Sequence, residues 1–263
     1  MLKKLFNTLE DFLSLTTHTK IWLHLGWMDI RQRYMGSVLG PLWITLNLSI
    51  FLVALGIVYS RLFHQSLQEY IPFLTCGLLA WTFISSVMID SCDMFIMAKP
   101  YLYQIKLPFT LFVYQTLWRN ILIFLHNLVV YLMVIFIFKI KITKYALLFF
   151  PGFLIVASNL IFISLFIGII STRYRDMPPL ITSLIQVLFF ISPITWMPHL
   201  VENASKIIIF NPVTYLIDLI RAPLLGGAPQ TNSWYFGLSF VLIGFILVSL
   251  IFNTQRHKIP FWL

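Results

Sequence analysis

The sequence predicts an all-α polytopic membrane protein, and three observations carry that prediction. Of the 263 residues, 59% are hydrophobic and only 10% are charged, whereas soluble globular domains contain about 25% charged residues. The apolar residues form long runs of the length, about 20 residues, that a helix needs to cross a bilayer. The net charge of +9 comes from basic residues that lie sparsely between these runs. This distribution excludes nucleic-acid binding, which needs a basic patch on a water-soluble face, and it also excludes disorder and a secreted disulfide scaffold.

Six apolar runs are long enough to be transmembrane helices. We expect these spans at residues 41–60, 71–89, 119–138, 145–171, 178–197 and 234–252. Pro41 and the pair Pro178-Pro179 fit the first turn of a helix, where a missing N–H costs little. Residues 41–263 are therefore expected to form one transmembrane domain.

Six spans place both termini on the same side of the membrane, and the basic residues choose that side. With the termini in the cytoplasm, twelve Lys and Arg residues lie on the cytoplasmic side and six lie on the other. The positive-inside rule therefore predicts that both termini are cytoplasmic, although the cluster Lys139, Lys141 and Lys144 falls on the opposite side.

Three segments lie outside the predicted spans. Residues 1–40 form a cytoplasmic segment that begins with apolar residues at helical spacing, which is typical of an amphipathic helix in the membrane interface. Residues 94–108 form a short cytoplasmic stretch with prolines, tyrosines and lysines. Residues 198–233, between spans five and six, contain two apolar pieces, 207–210 and 213–225, that are too short to span. We expect these pieces to be re-entrant helices, with helices that rest on the membrane surface as the alternative.

The chain lacks the motifs of catalysis. No glycine is followed by lysine, so the chain has no P-loop for ATP, and it has no metalloprotease helix, Cys-x-x-Cys pair or nucleophile elbow. We expect no enzyme activity and no metal site. Asp90, Asp93 and Arg119 lie at span boundaries, where snorkelling to the cytoplasmic edge is the simplest interpretation. Because no buried chain of carboxylates indicates proton coupling, the energy for any transport must come from a partner subunit.

Five motifs occur in an order that resembles one family of transporters. Residues 27–43 read Trp-Met-Asp-Ile-Arg-Gln-Arg-Tyr-Met-Gly-Ser-Val-Leu-Gly-Pro-Leu-Trp. The other motifs are residues 99–108, Arg173-Tyr174-Arg175-Asp176, Ser192-Pro193-Ile194 and Asn211-Pro212. Together they resemble the signatures of ABC-2-type polysaccharide export permeases, and within that family they are most similar to the permease subunit of O-antigen exporters. Trp196 replaces the commoner tyrosine of the family, which weakens any choice among substrates.

The resemblance implies a transporter assembled from several subunits. It implies a homodimer of this chain around a channel, with two separate ABC ATPase subunits on the cytoplasmic side. ATP and Mg²⁺ are then bound by those ATPases, and this chain itself binds no cofactor. The implied substrate is a polysaccharide attached to undecaprenyl diphosphate, and the implied location is the bacterial cell inner membrane, among membrane lipids.

The resemblance also assigns expected roles to residues. The residues expected to contact the ATPase are Lys99, Pro100, Tyr101, Tyr103 and Lys106. This contact would couple the ATPase cycle to transport. Arg31, Arg33, Arg173 and Arg175 are expected where the lipid diphosphate enters, since arginine suits bidentate phosphate binding. The general excess of basic residues on the cytoplasmic side is the alternative explanation of these four arginines. From their polar or flat aromatic side chains, the channel-lining candidates are Tyr59, Trp81, His126, Asn127, Tyr131 and Phe190. Packing between helices is the alternative for the polar residues, and lipid-facing positions or aromatic belts are the alternative for the aromatic ones. An extracytoplasmic gate is assigned to Asn211, Pro212, Asp218 and Arg221, and the spacing of Asp218 and Arg221 predicts a pair along one helix face.

Three other functions remain as alternatives. A capsular polysaccharide or teichoic acid exporter would share the same motifs. A membrane-embedded transferase acting on a lipid-linked sugar would need acidic or histidine residues grouped at one membrane face, and Asp90 with Asp93 is the candidate pair. A drug-exporting ABC-2 permease is disfavoured by residues 27–43.

Overall fold

The computed structural model describes residues 18–105, 107–198 and 208–263. The described residues form helices and turns, with no strand among them. The predicted amphipathic helix at the start of the chain falls on residues 1–17 and therefore lies outside the described residues, as do Lys106 and Ile207, the first residue of the short piece 207–210.

Ten α-helices follow one another along the described chain. They are α1 (Thr19–Arg33), α2 (Leu42–Leu62), α3 (Leu67–Met97), α4 (Lys99–Gln104), α5 (Thr110–Phe138), α6 (Phe149–Arg173), α7 (Met177–Ile191), α8 (Pro212–Leu224), α9 (Thr231–Gln255) and α10 (Ile259–Trp262). A 3₁₀ turn, Lys144–Leu148, leads directly into α6.

Five helical stretches in the described chain are long and apolar enough to cross a membrane. They contain the predicted spans one, two, three, four and six, but most extend past the apolar windows on which the prediction rested. Helix α3 begins at Leu67, where the Ser66 side chain accepts a hydrogen bond from the Glu69 N–H at 3.3 Å and caps the helix. It then continues to Met97, beyond the predicted end at residue 89, and α5 begins nine residues before Arg119.

The fifth predicted span is shorter than expected. Helix α7 ends at Ile191 after 15 residues, which is about 22 Å of helix and less than the hydrocarbon core of a bilayer. Ser192 is extended with ψ 145°, because a residue before proline is pushed out of the helical region by Pro193. The backbone after the break is held by side chains: the Tyr70 hydroxyl donates to the Thr195 carbonyl at 2.5 Å and the Trp196 indole N–H donates to the Phe190 carbonyl at 3.1 Å.

Helix α3 is the centre of the bundle. It packs against α2, α5, α6, α7 and α8, and most of its spanning stretch is buried. A large apolar cluster around α3 includes fully buried Leu74, Leu79 and Ile217. A second cluster lies at the end of the bundle where α3 finishes, and it joins Phe95 to Leu111, Phe252 and Ile259.

Candidate functional site

The segment assigned to ATPase contact forms a short exposed helix. Helix α4 has no buried residue, and it begins immediately after α3, with Pro100 in its first turn. Tyr103 is 63% exposed and Tyr101 is 41% exposed. The Lys99 ammonium lies 5.7 Å from the centroid of the Tyr103 ring. The end of the bundle that contains α4 therefore presents a small aromatic and basic projection to its surroundings.

A network of charged groups lies beside α4 and joins three helices. The Arg119 guanidinium of α5 pairs with Asp90 of α3 at 2.8 Å and with Asp29 of α1 at 3.2 Å. Gln115 donates to Asp29 at 2.9 Å, and Asn120 donates to Asp90 at the same distance. The snorkelling interpretation of Asp90 and Arg119 is therefore wrong, because these side chains bind one another across helices instead of extending separately into solvent.

This charged network lines a cavity of about 340 Å³ whose walls also include Arg33, Asp93 and Tyr101. Three carboxylates and two guanidinium groups face the cavity, so its formal charge is negative and an anion deep inside it is disfavoured. Arg33 lies at the edge of the network, 4.0 Å from Asp90, with its side chain 50% exposed. Of the two guanidinium groups, that of Arg33 is therefore the more accessible to a phosphate at the cavity mouth.

The four arginines assigned to diphosphate entry fall into two groups. Arg31 and Arg33 are in the last turn of α1, whereas Arg173 ends α6 and exposed Arg175 follows it. The Arg173 guanidinium lies over the Tyr174 ring at 4.9 Å and over the Trp262 ring at 5.5 Å. No contact between the two groups is found within the described residues.

The channel-lining candidates are also divided by the structure. Trp81 and exposed Phe190 share a cavity of about 430 Å³ with Gln186. Asn127 lines a neighbouring cavity of about 460 Å³ together with Asn47. Both cavities include Phe51 and Thr82, so they adjoin one another along α2 and α3.

The remaining three candidates lie elsewhere. Tyr131 is buried in the bundle, and its hydroxyl donates to the Leu224 carbonyl at 2.6 Å. The His126 Nδ1 lies 2.8 Å from the Leu122 carbonyl of its own helix. The Tyr59 ring packs 5.7 Å from that of Phe63. Sequence reasoning did not select the hydroxyl groups of Thr82, Ser85 and Ser86, although their helical spacing on α3 was a usable signal.

The residues assigned to the gate lie at the opposite end of the bundle, where Asn211 and Arg221 are buried, Asp218 is half-buried and Pro212 is exposed. The Asn211 side chain caps α8 by accepting from the Val213 N–H at 3.0 Å, and its amide donates to the Ser192 hydroxyl at 2.8 Å. Pro212 occupies the first turn of α8. Helix α8 packs against α3, α6 and α9, so it is an integral part of the bundle and does not rest on its surface.

The predicted pairing of Asp218 with Arg221 is wrong. The Arg221 guanidinium donates to the Pro193 carbonyl at 2.6 Å and lies 4.5 Å from the centre of the Phe73 ring. The Asp218 carboxylate instead accepts from the Gln230 N–H at 2.9 Å and from the Ser233 hydroxyl at 2.6 Å. Burial lowers the pKa of the Arg221 guanidinium, and the nearby Asp218 charge opposes that shift. Arg221 therefore connects α8 to the break after α7, and Asp218 connects α8 to the start of α9.

Comparison with known proteins assigns this architecture to a family. The family model described as ABC-2 type transporter matches residues 21–225, which run from the first turn of α1 to the end of α8. An O-antigen export system permease protein RfbA from Klebsiella pneumoniae is 24% identical over 237 residues, covering 88% of this chain and 90% of that protein. A protein of the same name from Myxococcus xanthus is 20% identical over 197 residues, covering 74% of this chain and 76% of its own length. The match over most of the chain shows that the protein belongs to the ABC-2 type transporter family.

Proposed function

We propose that this chain is the permease subunit of an ABC transporter that exports a lipid-linked polysaccharide of the O-antigen type across the cytoplasmic membrane. The observation that carries the proposal is helix α4, an exposed aromatic projection at one end of a membrane-spanning bundle. It has the position and chemistry that contact with a separate motor subunit requires. The similarity to O-antigen export permeases over 88% of the chain supports the choice of substrate class.

The proposed topology has six crossings in the inner membrane, with both termini in the cytoplasm. In this topology α7 and the extended residues after it make the fifth crossing, and the segment around α8 is re-entrant from the outer side. Support comes from the end of the bundle that contains α4, where Arg33, Lys99, Arg119 and Arg173 lie. Excess basic residues on that side agree with a cytoplasmic face.

The proposed assembly contains two copies of this chain and two ATPase subunits, which bind ATP and Mg²⁺. Helices α2, α5 and α9 leave most of their spanning stretches uncovered within one subunit, at 28%, 28% and 22% buried. We propose that α2, which lines the two adjoining cavities, is the helix that faces the second copy. The two adjoining cavities along α2 and α3 offer aromatic, amide and hydroxyl side chains, which suit the faces and hydroxyl groups of sugar rings. We propose that this wall forms part of the export route for a polysaccharide carried on undecaprenyl diphosphate.

The charged network argues against the transferase alternative. That alternative relied on Asp90 and Asp93 as a pair of carboxylates available for acid–base chemistry. Asp90 instead pairs with Arg119 at 2.8 Å and accepts from Asn120, and these contacts give it a structural role. Among the described residues, Asp93 then has no neighbouring free carboxylate that could act as acid while it acts as base, or the reverse.

A reconstituted complex tests the function. Proteoliposomes containing this chain and its ATPase should move a fluorescently labelled undecaprenyl-diphosphate glycan in an ATP-dependent way, and the chain alone should hydrolyse no ATP. The double variant Tyr101→Ala/Tyr103→Ala should lower export about tenfold or more while ATP hydrolysis continues, because a coupling contact of roughly 1.4 kcal/mol corresponds to that factor. Tyr145→Ala, at a 39% exposed tyrosine of the opposite end, is the matched control. Export by the chain without an ATPase, or normal export by the double variant, would contradict the proposal.

The gate proposal has its own test. Single cysteines placed along α8 and the residues before it, between residues 208 and 225, should cross-link between the two copies in the resting complex. The native Cys76 and Cys92 are buried, so they do not compete with the introduced cysteines. We expect oxidation to stop export and a reducing agent to restore it. Export that continues through fully cross-linked complexes would rule out a gate in this segment.

A further inference from the structure

The residues after α9 fold back and contact the ATPase-coupling region. The backbone turns after Gln255, with the Lys258 N–H donating to the Gln255 carbonyl at 2.7 Å, and then forms α10. Ile259 is fully buried in the apolar cluster that includes Phe95 and Phe252. This anchoring fixes residues 259–263 to the bundle next to α4.

Helix α4 depends on these residues for part of its support. Six residues are too few for a helix to be stable without external contacts, and no residue of α4 is buried. Leu102 packs partly into the apolar cluster. The Tyr101 ring lies 6.5 Å from the Phe112 ring of α5. Two further side chains of α4 contact the folded-back residues: Lys99 donates to the Leu263 carbonyl, and the Tyr103 hydroxyl lies 3.5 Å from the Pro260 carbonyl.

The same residues also reach the turn between α6 and α7. The Trp262 ring lies 5.5 Å from the Arg173 guanidinium, which also covers the Tyr174 ring. Arg173 is the last residue of α6, and α7 begins four residues later at Met177. A cation between two aromatic rings is attracted by both faces, so this stack connects the folded-back residues to the turn. Residues 259–263 therefore bridge α4 and the entrance to α7.

We propose that residues 259–263 act as a positioning clamp, which holds α4 in register with the bundle and transmits its displacement to the turn before α7. Within this clamp, Lys99 and Trp262 are the positioning residues. The inference rests on the proposed function, since it assumes that α4 receives the motion of an ATPase. It adds a route by which that motion reaches α7 without passing through the central helix α3.

Trp262→Ala in the complete complex tests the clamp, with Trp262→Phe as the conservative variant. Phe261→Ala is the matched control, because the neighbouring Phe261 is 87% exposed. The first measurement is the mobility of a spin label at exposed Gln104, which needs no ATPase activity. The second is the amount of ATP hydrolysed per glycan exported. Lys99→Gln, which removes the other connection, serves as a second variant should Trp262→Ala assemble poorly.

We expect Trp262→Ala to increase the label's mobility and to raise ATP use per glycan about threefold, the factor expected from loss of an exposed cation–π contact. Trp262→Phe should keep both the label mobility and the ATP use per glycan at the values of the unsubstituted complex. Phe261→Ala should change neither value. Unchanged label mobility in both Trp262→Ala and Lys99→Gln would overturn the clamp, as would increased mobility with unchanged ATP use. A different result would identify a failure of the proposed function: Trp262→Ala increases the label mobility, but Tyr101→Ala/Tyr103→Ala still exports glycan at the normal ATP use. In that case α4 does not couple ATP hydrolysis to export, and residues 259–263 are a structural contact without a role in coupling.

Discussion

Replacing Gly152 with alanine is expected to destabilise the protein by about 3 kcal/mol, which is the upper part of the range for overpacking a close contact. Gly152 lies in α6 where the backbone of α8 crosses it. An added Cβ atom would overlap the Leu219 carbonyl oxygen and would lie 3.2 Å from the Leu219 carbonyl carbon. Since the obstacle is backbone and not a flexible side chain, the whole of α8 has to shift to relieve the overlap.

Reversible unfolding in mixed micelles, followed by tryptophan fluorescence, measures this effect. Gly227→Ala is the matched control, because its added Cβ atom would meet only the Ala222 carbonyl oxygen at an ordinary 3.6 Å. The shift of α8 should also weaken the bond between Arg221 and the Pro193 carbonyl, so export should fall together with stability. Equal unfolding free energies for the two glycine variants would show that α6 and α8 do not approach one another this closely.

Removal of the Arg119 guanidinium is expected to produce a comparable loss, about 3 kcal/mol. The arginine is the shared partner of Asp29 and Asp90, and the three side chains are only 17–27% exposed. Arg119→Ala leaves two carboxylates close together without their cation, which costs far more than the loss of a surface ion pair. The expected result is that α1 separates from α5, because Asp29 lies on α1.

A cycle of neutral variants separates the charge effect from packing. Asp29→Asn and Asp90→Asn, combined with Arg119→Gln, remove the charges while keeping hydrogen-bonding groups, and this triple variant should be more stable than Arg119→Ala alone. Arg61→Ala, at an exposed arginine near the other end of α2, is the control and should change the unfolding free energy by less than about 0.5 kcal/mol. A loss from Arg119→Ala no larger than that of the control would mean that the charged network contributes nothing to stability.

The apolar runs predicted the helical class and five of the long helices, because a bilayer requires about 20 apolar residues wherever a helix crosses it. They could not predict where α3 ends or where α5 begins. Those helices continue past the apolar window into polar residues such as Asp90 and Gln115, which other helices then bind. The shortening of α7 was foreseeable from Ser192-Pro193, since residues before proline leave the helical region.

The candidate site was predictable only where its residues are adjacent in the sequence. Residues 99–104 were recognised as one segment, and the structure keeps them together as α4. Asp29 and Arg119, in contrast, are 90 residues apart, and no spacing rule connects them. Their meeting depends on the close docking of α1 on α5 at Gly26, where an added Cβ atom would lie 2.9 Å from the Trp118 ring. Asp218 and Arg221 have the spacing of a pair, but each side chain instead binds a backbone group that another segment brings near.

The break after α7 has a consequence for the order in which the protein is made and inserted. Its carbonyl groups at Pro193 and Thr195 are satisfied by Arg221 and Tyr70, and an unsatisfied carbonyl in hydrocarbon costs several kcal/mol. Tyr70 is synthesised long before the break, but Arg221 follows it by 28 residues. Insertion one helix at a time would therefore leave the Pro193 carbonyl without a protein donor until the ribosome has passed residue 221. In the proposed topology, α7 and α8 are accordingly expected to enter the bilayer as one unit, and truncation of the nascent chain between residues 197 and 221 should leave α7 outside the hydrocarbon core.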